Sequence, residues 1–340
     1  MTRLLNAVLP GLLGAGIALL VPAPADAQTS VSLSPDPTSI WTIQNENASI
    51  STASTTDRYY TNGLRLGWTS GTDAVPDFLA GVGRTLWGDG QERISFDLSQ
   101  QIYNPLHTHV SQPPPGDTPY AGVLLGTFSL QQDSSDSRSV LALSLGVIGP
   151  AALGKQVQNG FHDLIGQEHP AGWDTQLKNE PAFQLVSGRT WRLPMGTVAG
   201  LETDALPELT ANVGSVWIYA ETGARFRIGR GLDSDFGPAR VRPGNSGGDA
   251  FRPTRPFVWY VFAGADGQVV AHDETVQGSN WHNDSPGANL RTLVGEMEVG
   301  LAVMMYGTRL TYTQVFDTQR AEHQKGGLHQ FGSLALSVRF

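Results

Sequence analysis

The chain has 340 residues, 31 acidic against 22 basic side chains, a net charge of −9, 40 glycines and no cysteine. With 16% of positions charged it is too weakly charged for a disordered chain, and without cysteine it is neither a disulfide scaffold nor a thiolate metal site. The acidic balance lacks the basic stripe of a nucleic-acid binder, so no nucleic-acid partner is expected.

Residues 1–27 read as a secretory signal. Arg3 supplies the positive start, Leu4 to Val21 is mostly apolar, and Ala25-Asp26-Ala27 gives a small-x-small cleavage pattern. Asn6 and Pro10 interrupt the apolar run, which falls short of the ~20 clean residues of a spanning helix. The mature part, residues 28–340, shows no internal repeat and no linker, and reads as one domain.

Period-two alternation recurs through the rest of the chain. Candidate strands lie near 39–50, 59–70, 92–103, 119–132, 138–149, 182–193, 209–218, 219–229, 256–268, 292–306, 308–317 and 331–340. In the last of these, Leu334, Leu336, Val338 and Phe340 alternate with Ser333, Ala335, Ser337 and Arg339. From Glu296 onward, Met297, Val299, Leu301, Val303 and Met305 alternate with Glu296, Glu298, Gly300 and Ala302. An apolar face opposite a face of charged and small residues suits a wall between lipid and a polar lumen. Trp41, Tyr60, Trp68, Trp191 and Tyr312 lie in or beside such runs as interfacial anchors. The fold expected is all-β, an antiparallel transmembrane β-barrel of about twelve strands in the outer membrane of a Gram-negative cell.

With both termini periplasmic, the loops Ser51–Arg58, Asn104–Thr118 and Pro150–Pro181 face outward. The third is the longest. Val157, Phe161, Leu164 and Ile165 fall at i, i+4, i+7 and i+8 in it, an amphipathic helix ended by Gly166. Gly160 inside that helix costs about 1 kcal/mol against alanine; close approach of the helix to the barrel wall would explain it.

His162 lies on this helix and Glu168 six residues later, about 120° away around an unbroken helix. A turn at Gly166 would fold the carboxylate back onto the imidazole, fixing its tautomer and leaving the other nitrogen to deprotonate water. From the pair alone, a surface histidine beside a solvated glutamate is the simpler account. Asn47 and Thr61 belong to the first outward hairpin, at the same end, and could bind water or a cation beside the base. Taken singly, each reads as a strand-end polar residue.

The run Glu46-Asn47…Thr56-Asp57-Arg58-Tyr59-Tyr60-Thr61-Asn62-Gly63-Leu64-Arg65-Leu66-Gly67-Trp68 resembles the opening of the LpxR family, outer-membrane lipid A 3′-O-deacylases. Pro119-Tyr120-Ala121-Gly122 resembles it too. So do Gly146-Val147-Ile148-Gly149-Pro150 and its continuation through Gln156-Val157-Gln158-Asn159 to His162, Gly166, Trp173 and Gln176. The resemblance implies a twelve-stranded barrel with its site between the outer wall and the loop helix. It implies that His162 activates water and Glu168 orients it, with Asn47 and Thr61 in the same site. It further implies Ca²⁺ to polarise the ester carbonyl, lipid A of lipopolysaccharide as substrate, and direct hydrolysis without an acyl-enzyme.

The family motif Glu-Asn-Asp is here Glu46-Asn47-Ala48, so the metal would rest on Glu46, Asn47 and backbone carbonyls. Thr118 stands where the family often has arginine. The alternative is a non-catalytic barrel, a narrow pore or an inactive family member. Gly244-Asn245-Ser246-Gly247-Gly248 looks like the nucleophile segment of trypsin-like proteases; without matching His and Asp segments, a glycine-rich loop tip explains it better. His107-Thr108-His109, beside a proline run, reads as solvated rather than metal-bound.

Overall fold

A computed structural model describes residues 34–340 apart from 52–57, 239, 242–248, 283, 323 and 326. The signal segment and the Gly244–Gly248 run lie outside the described residues. Thirteen strands form one antiparallel sheet: β1 Ile40–Asn47, β2 Tyr59–Thr69, β3 Gln91–Asn104, β4 Ala121–Asp133, β5 Ser137–Ile148 and β6 Glu180–Trp191. These are followed by β7 Leu193–Val198, β8 Leu201–Gly214, β9 Trp217–Arg230, β10 Phe257–Asp273, β11 Leu293–Met305, β12 Thr308–Asp317 and β13 His329–Arg339. Consecutive strands pair throughout, except β6 with β7. β1 closes on β13, from Ile40↔Arg339 to Asn47↔Gly332, and β6 closes on β8, from Gln184↔Gly214 to Thr190↔Glu208. Twelve strands therefore make a closed barrel without edges.

The thirteenth strand, β7, pairs only with the lower part of β8 and is a correction to the expected twelve segments. All six of its residues are exposed, so it has no alternation to betray it. β8 also begins at Leu201 rather than near 209.

The outward face is apolar, with Ile43, Leu66, Phe96, Leu98, Leu145, Met297, Val299, Leu334 and Leu336 all exposed. The inward face is polar and ionic, the reverse of a soluble sandwich. Arg65 bonds Asp97 and Asp249; Arg227 bonds Asp204 and Asp235; Arg309 bonds Asp235; Arg225 bonds Glu298. Asp235 and Asp249 come from the segment after β9, which folds back into the barrel from the periplasmic end. Asp249, which directly follows the glycine-rich run, is thus a buried partner of Arg65. Above this ionic layer Tyr60, Tyr103, Trp217, Tyr219 and Phe331 join one apolar cluster. A cavity of about 30 Å³ lined by Tyr60, Tyr103 and His329 at the outer mouth has room for a water or two.

Among the described residues three α-helices decorate the barrel: α1 Asp77–Trp87 on the periplasmic side, and α2 Gly154–Ile165 and α3 Glu274–Gln277 on the outer side.

A candidate active site on the outer wall

The loop leaving β5 turns at Gly149 (φ 108°) and Leu153 (φ 60°), enters α2, and leaves it at Gly166 (φ 69°). The helix and its left-handed glycine stop match the sequence expectation. The loop is tied to the upper edge of the wall by hydrogen bonds from Gly149 N–H to the Gly122 carbonyl (2.8 Å) and from Leu177 N–H to the Tyr120 carbonyl (2.9 Å).

Alternation places Gln100, Ile102 and Gly122 on the outer face of β3 and β4, in step with exposed Phe96 and Leu98. α2 lies on these residues. The Gln100 amide donates to the Ala152 carbonyl at 2.6 Å, just before the helix. A Cβ on Gly122 would meet the Gly154 nitrogen at 3.1 Å, and one on Gly154 would meet the Trp173 ring at 2.9 Å. The close approach foreseen for Gly160 is therefore made by Gly154; Gly160 faces open space. Ile102, Tyr120 and Trp173 form an apolar cluster on this wall, and Val157 packs against it.

The helix is seated with its polar stripe inward. Gly154, Gln158 and His162, spaced i, i+4, i+8, are buried, whereas Phe161, Ile165 and Leu164 are exposed, the last at 81%. On a water-soluble protein this orientation would be inverted. On the outside of a membrane barrel it turns the apolar side toward lipid and hides the imidazole against the wall.

His162 is 3% exposed. Its Nδ1 lies 2.6 Å from the backbone carbonyl oxygen of Glu168. A carbonyl only accepts, so Nδ1 carries a proton, and in the neutral imidazole the lone pair is on Nε2. The chain does turn at Gly166 and bring residue 168 back onto the ring, but through its backbone; the Glu168 side chain is exposed. The expected carboxylate–imidazole contact is corrected to a carbonyl–imidazole contact. One turn earlier, Gln158 accepts the Trp173 indole N–H at 2.8 Å, while its buried Nε2 has no hydrogen-bond partner among the described residues.

Asn47 and Thr61 lie at the outer end of β1 and β2. Asn47 stands opposite Asn62, and Asn62 opposite Ile102, a member of the cluster that Val157 of α2 packs against. The first hairpin and the His162 helix thus share one end and one outer wall. Asn45 and Asn47 both donate to the Asn62 side-chain oxygen at 2.9 Å, and the Asn47 oxygen accepts from Ser49 N–H at 2.7 Å. Asn62 was not singled out from sequence, although its place two residues before exposed Leu64 marks it as outward-facing. Thr61 occupies a β-bulge between Tyr60 and Asn62 and is buried; its hydroxyl lies 3.5 Å from the Tyr59 carbonyl.

Glu46 does not join them. Its neighbour Asn47 faces out, so Glu46 faces in, where it accepts from the Tyr60 hydroxyl at 2.7 Å and Val241 N–H at 3.1 Å. A calcium ion needs six to eight oxygens around one point. Glu46 and Asn47 point to opposite faces of the wall, Ala48 offers no side-chain oxygen and its carbonyl already accepts from Ser51 N–H, and the described residues hold no group of three or more His, Asp or Glu able to hold a metal. The described residues do not fit the calcium site expected on Glu46 and Asn47.

The family model described as "Outer membrane protein LpxR" matches residues 12–340. Among solved structures, the chain is similar to LpxR from Salmonella typhimurium, with a TM-score of 0.72 at 20% identity over 89% of this chain and 100% of that one. Far weaker likenesses link it to the β domain of the Bordetella autotransporter BrkA, with a TM-score of 0.40 at 10% identity over 90% of this chain and 98% of that one. Comparison with curated protein sequences finds no match. With its closed twelve-strand barrel, its lipid-facing exterior and a family match across almost its whole length, the chain belongs to the LpxR family of outer-membrane proteins.

Proposed function

We propose that this protein hydrolyses the 3′-linked acyloxyacyl ester of lipid A, taking lipopolysaccharide from the outer leaflet. The observation that carries the reading is the burial of His162 between α2 and the outside of the barrel, beneath an exposed apolar edge. A lumenal site would serve a soluble or permeating substrate; a site on the outer wall is reached by a molecule already in the bilayer.

The tautomer set by the Glu168 carbonyl makes Nε2 the base. It removes a proton from water as the water oxygen bonds to the ester carbonyl carbon. The resulting oxyanion needs donors in a dry site. The Gln158 amide, Thr61 and the Asn47–Asn62 pair are the groups on this wall suited to that task. Collapse breaks the bond to the sugar oxygen, and the imidazolium returns its proton to that oxygen. The products are a lipid A with a free 3′-hydroxyl and the released acyloxyacyl acid. No acyl-enzyme forms, and no step here passes through a metal.

Mass spectrometry of lipid A from cells expressing the wild type or His162→Ala tests the reading. Loss of one acyloxyacyl group with the wild type, and its retention with the variant, is expected. An unchanged lipid A profile with folded wild-type protein in the outer membrane would overturn it.

A further inference from the structure

We propose that α1 is an interfacial helix that seats its free apolar edge in the phospholipid of the periplasmic leaflet. The helix, Asp77–Trp87, interrupts the connection between β2 and β3. Its sequence DFLAGVGRTLW divides unevenly around the axis. Phe78, Val82, Leu86 and Leu79 occupy one broad arc, continued by Gly83 and Trp87, with Asp77, Arg84 and Thr85 opposite.

One margin of that arc is already used. Gly83 and Trp87 are buried, and a Cβ on Gly83 would meet the Glu92 side chain at 3.0 Å. Gln132 donates to the Gly88 carbonyl, which caps the helix, at 2.8 Å. Glu92 and Gln132 face each other across β3 and β4, and the same alternating row leads through Ile94↔Leu130 to Phe96↔Phe128. Phe96 is an exposed, outward residue, so Glu92 and Gln132 are on the outside of the barrel as well. The seat of α1 lies four residues below Phe96, about 13 Å at strand rise. It is thus on the outer wall, at the periplasmic border of the lipid-facing band.

The other margin is open: Phe78 is 71% and Val82 40% exposed. Directly above the seat, Trp68 stacks on Phe96 with ring centroids 6.1 Å apart, and Phe96 meets Phe128 at 5.2 Å. Such an aromatic row marks the level where acyl chains give way to headgroups. The apolar edge of α1 continues that surface, while Asp77 and Arg84 are placed for the headgroup and water side. Amphipathic helices in this setting bury their apolar face ~5–10 Å into the headgroup–acyl boundary.

Because the chain has no cysteine, single labels can be placed cleanly. Phe78→Cys, Val82→Cys and Arg84→Cys, each carrying a nitroxide, are reconstituted in phosphatidylethanolamine–phosphatidylglycerol nanodiscs and examined by power-saturation EPR. Positions 78 and 82 should favour oxygen over a water-soluble nickel relaxant by at least about threefold relative to position 84, as for an interfacial helix. Equal nickel accessibility at all three positions would overturn the proposal. So would shielding at 78 and 82 that accompanies a two-copy particle by native mass spectrometry and is lost when Phe78→Glu yields single copies, since a second chain would then be the occupant.

Discussion

The imidazole of His162 is oriented by the main chain of Glu168, its Nδ1 2.6 Å from that residue's carbonyl oxygen. The side chain at 168 is therefore not what selects the tautomer. Glu168→Gln is expected to retain activity within about fivefold, the scale of one modest hydrogen-bond difference. His162→Ala removes the base and should lower turnover by about 10²–10⁴-fold. Initial rates on purified lipid A in detergent would measure both. A loss above a hundredfold in Glu168→Gln would mean that its carboxylate acts directly.

The seat of α2 can be tested apart from its chemistry. Gly122 and Gly154 touch backbone to backbone, with 3.1 Å between a Cβ on the former and the nitrogen of the latter. A branched side chain at Gly122 must lift the helix. Overpacking of this kind costs about 1–3 kcal/mol, yet Gly122 lies outside the lumenal ion-pair network that fills the barrel. Gly122→Val should leave the folded barrel intact by its heat-modifiable gel mobility while abolishing most hydrolysis. Full activity in this variant would contradict a helix held against the wall at that point.

Much of this architecture is legible in the sequence, and the exceptions share a cause. The alternation of Leu334, Leu336 and Val338 against Ser333, Ala335 and Ser337 reads directly as lipid face and lumen face, because a bilayer imposes that pattern on every spanning strand. The helix stop at Gly166 is legible for the same local reason. β7 escapes because nothing buries either of its faces. α1 escapes because Gly81 and Gly83 depress its helix propensity. The lumenal role of Asp235 and Asp249 is set by Arg65, Arg227 and Arg309, which lie on different strands, so no local pattern announces it. At residue 168 the sequence names the right position but not whether backbone or side chain makes the contact.

Chelation addresses the metal. The described residues around Asn47 supply no carboxylate, since Glu46 is held inside the barrel by Tyr60 and Val241. Treatment with EDTA followed by dialysis is expected to change the hydrolysis rate by less than about twofold, in contrast to sites where a metal supplies several kcal/mol of charge stabilisation. A loss of activity that calcium restores would show that ligands outside the described residues complete a site.

A pH effect arises at the outer mouth, away from the candidate active site. Glu274, the first residue of α3, is buried. Burial, and then the neighbouring Glu180 carboxylate, push its carboxyl up from 4.5 to about 9. Between these two values the folded protein retains a proton that the unfolded chain has released. Folding stability from this residue is therefore complete below about pH 4.5 and declines as pH rises toward 9. Glu274→Gln keeps the shape of the neutral acid and removes the titration. Thermal unfolding in detergent should show the wild type losing stability from pH 5 to 9 more steeply than Glu274→Gln, with the two curves converging at the acidic end. Parallel curves across that range would show that Glu274 ionises freely in the folded barrel.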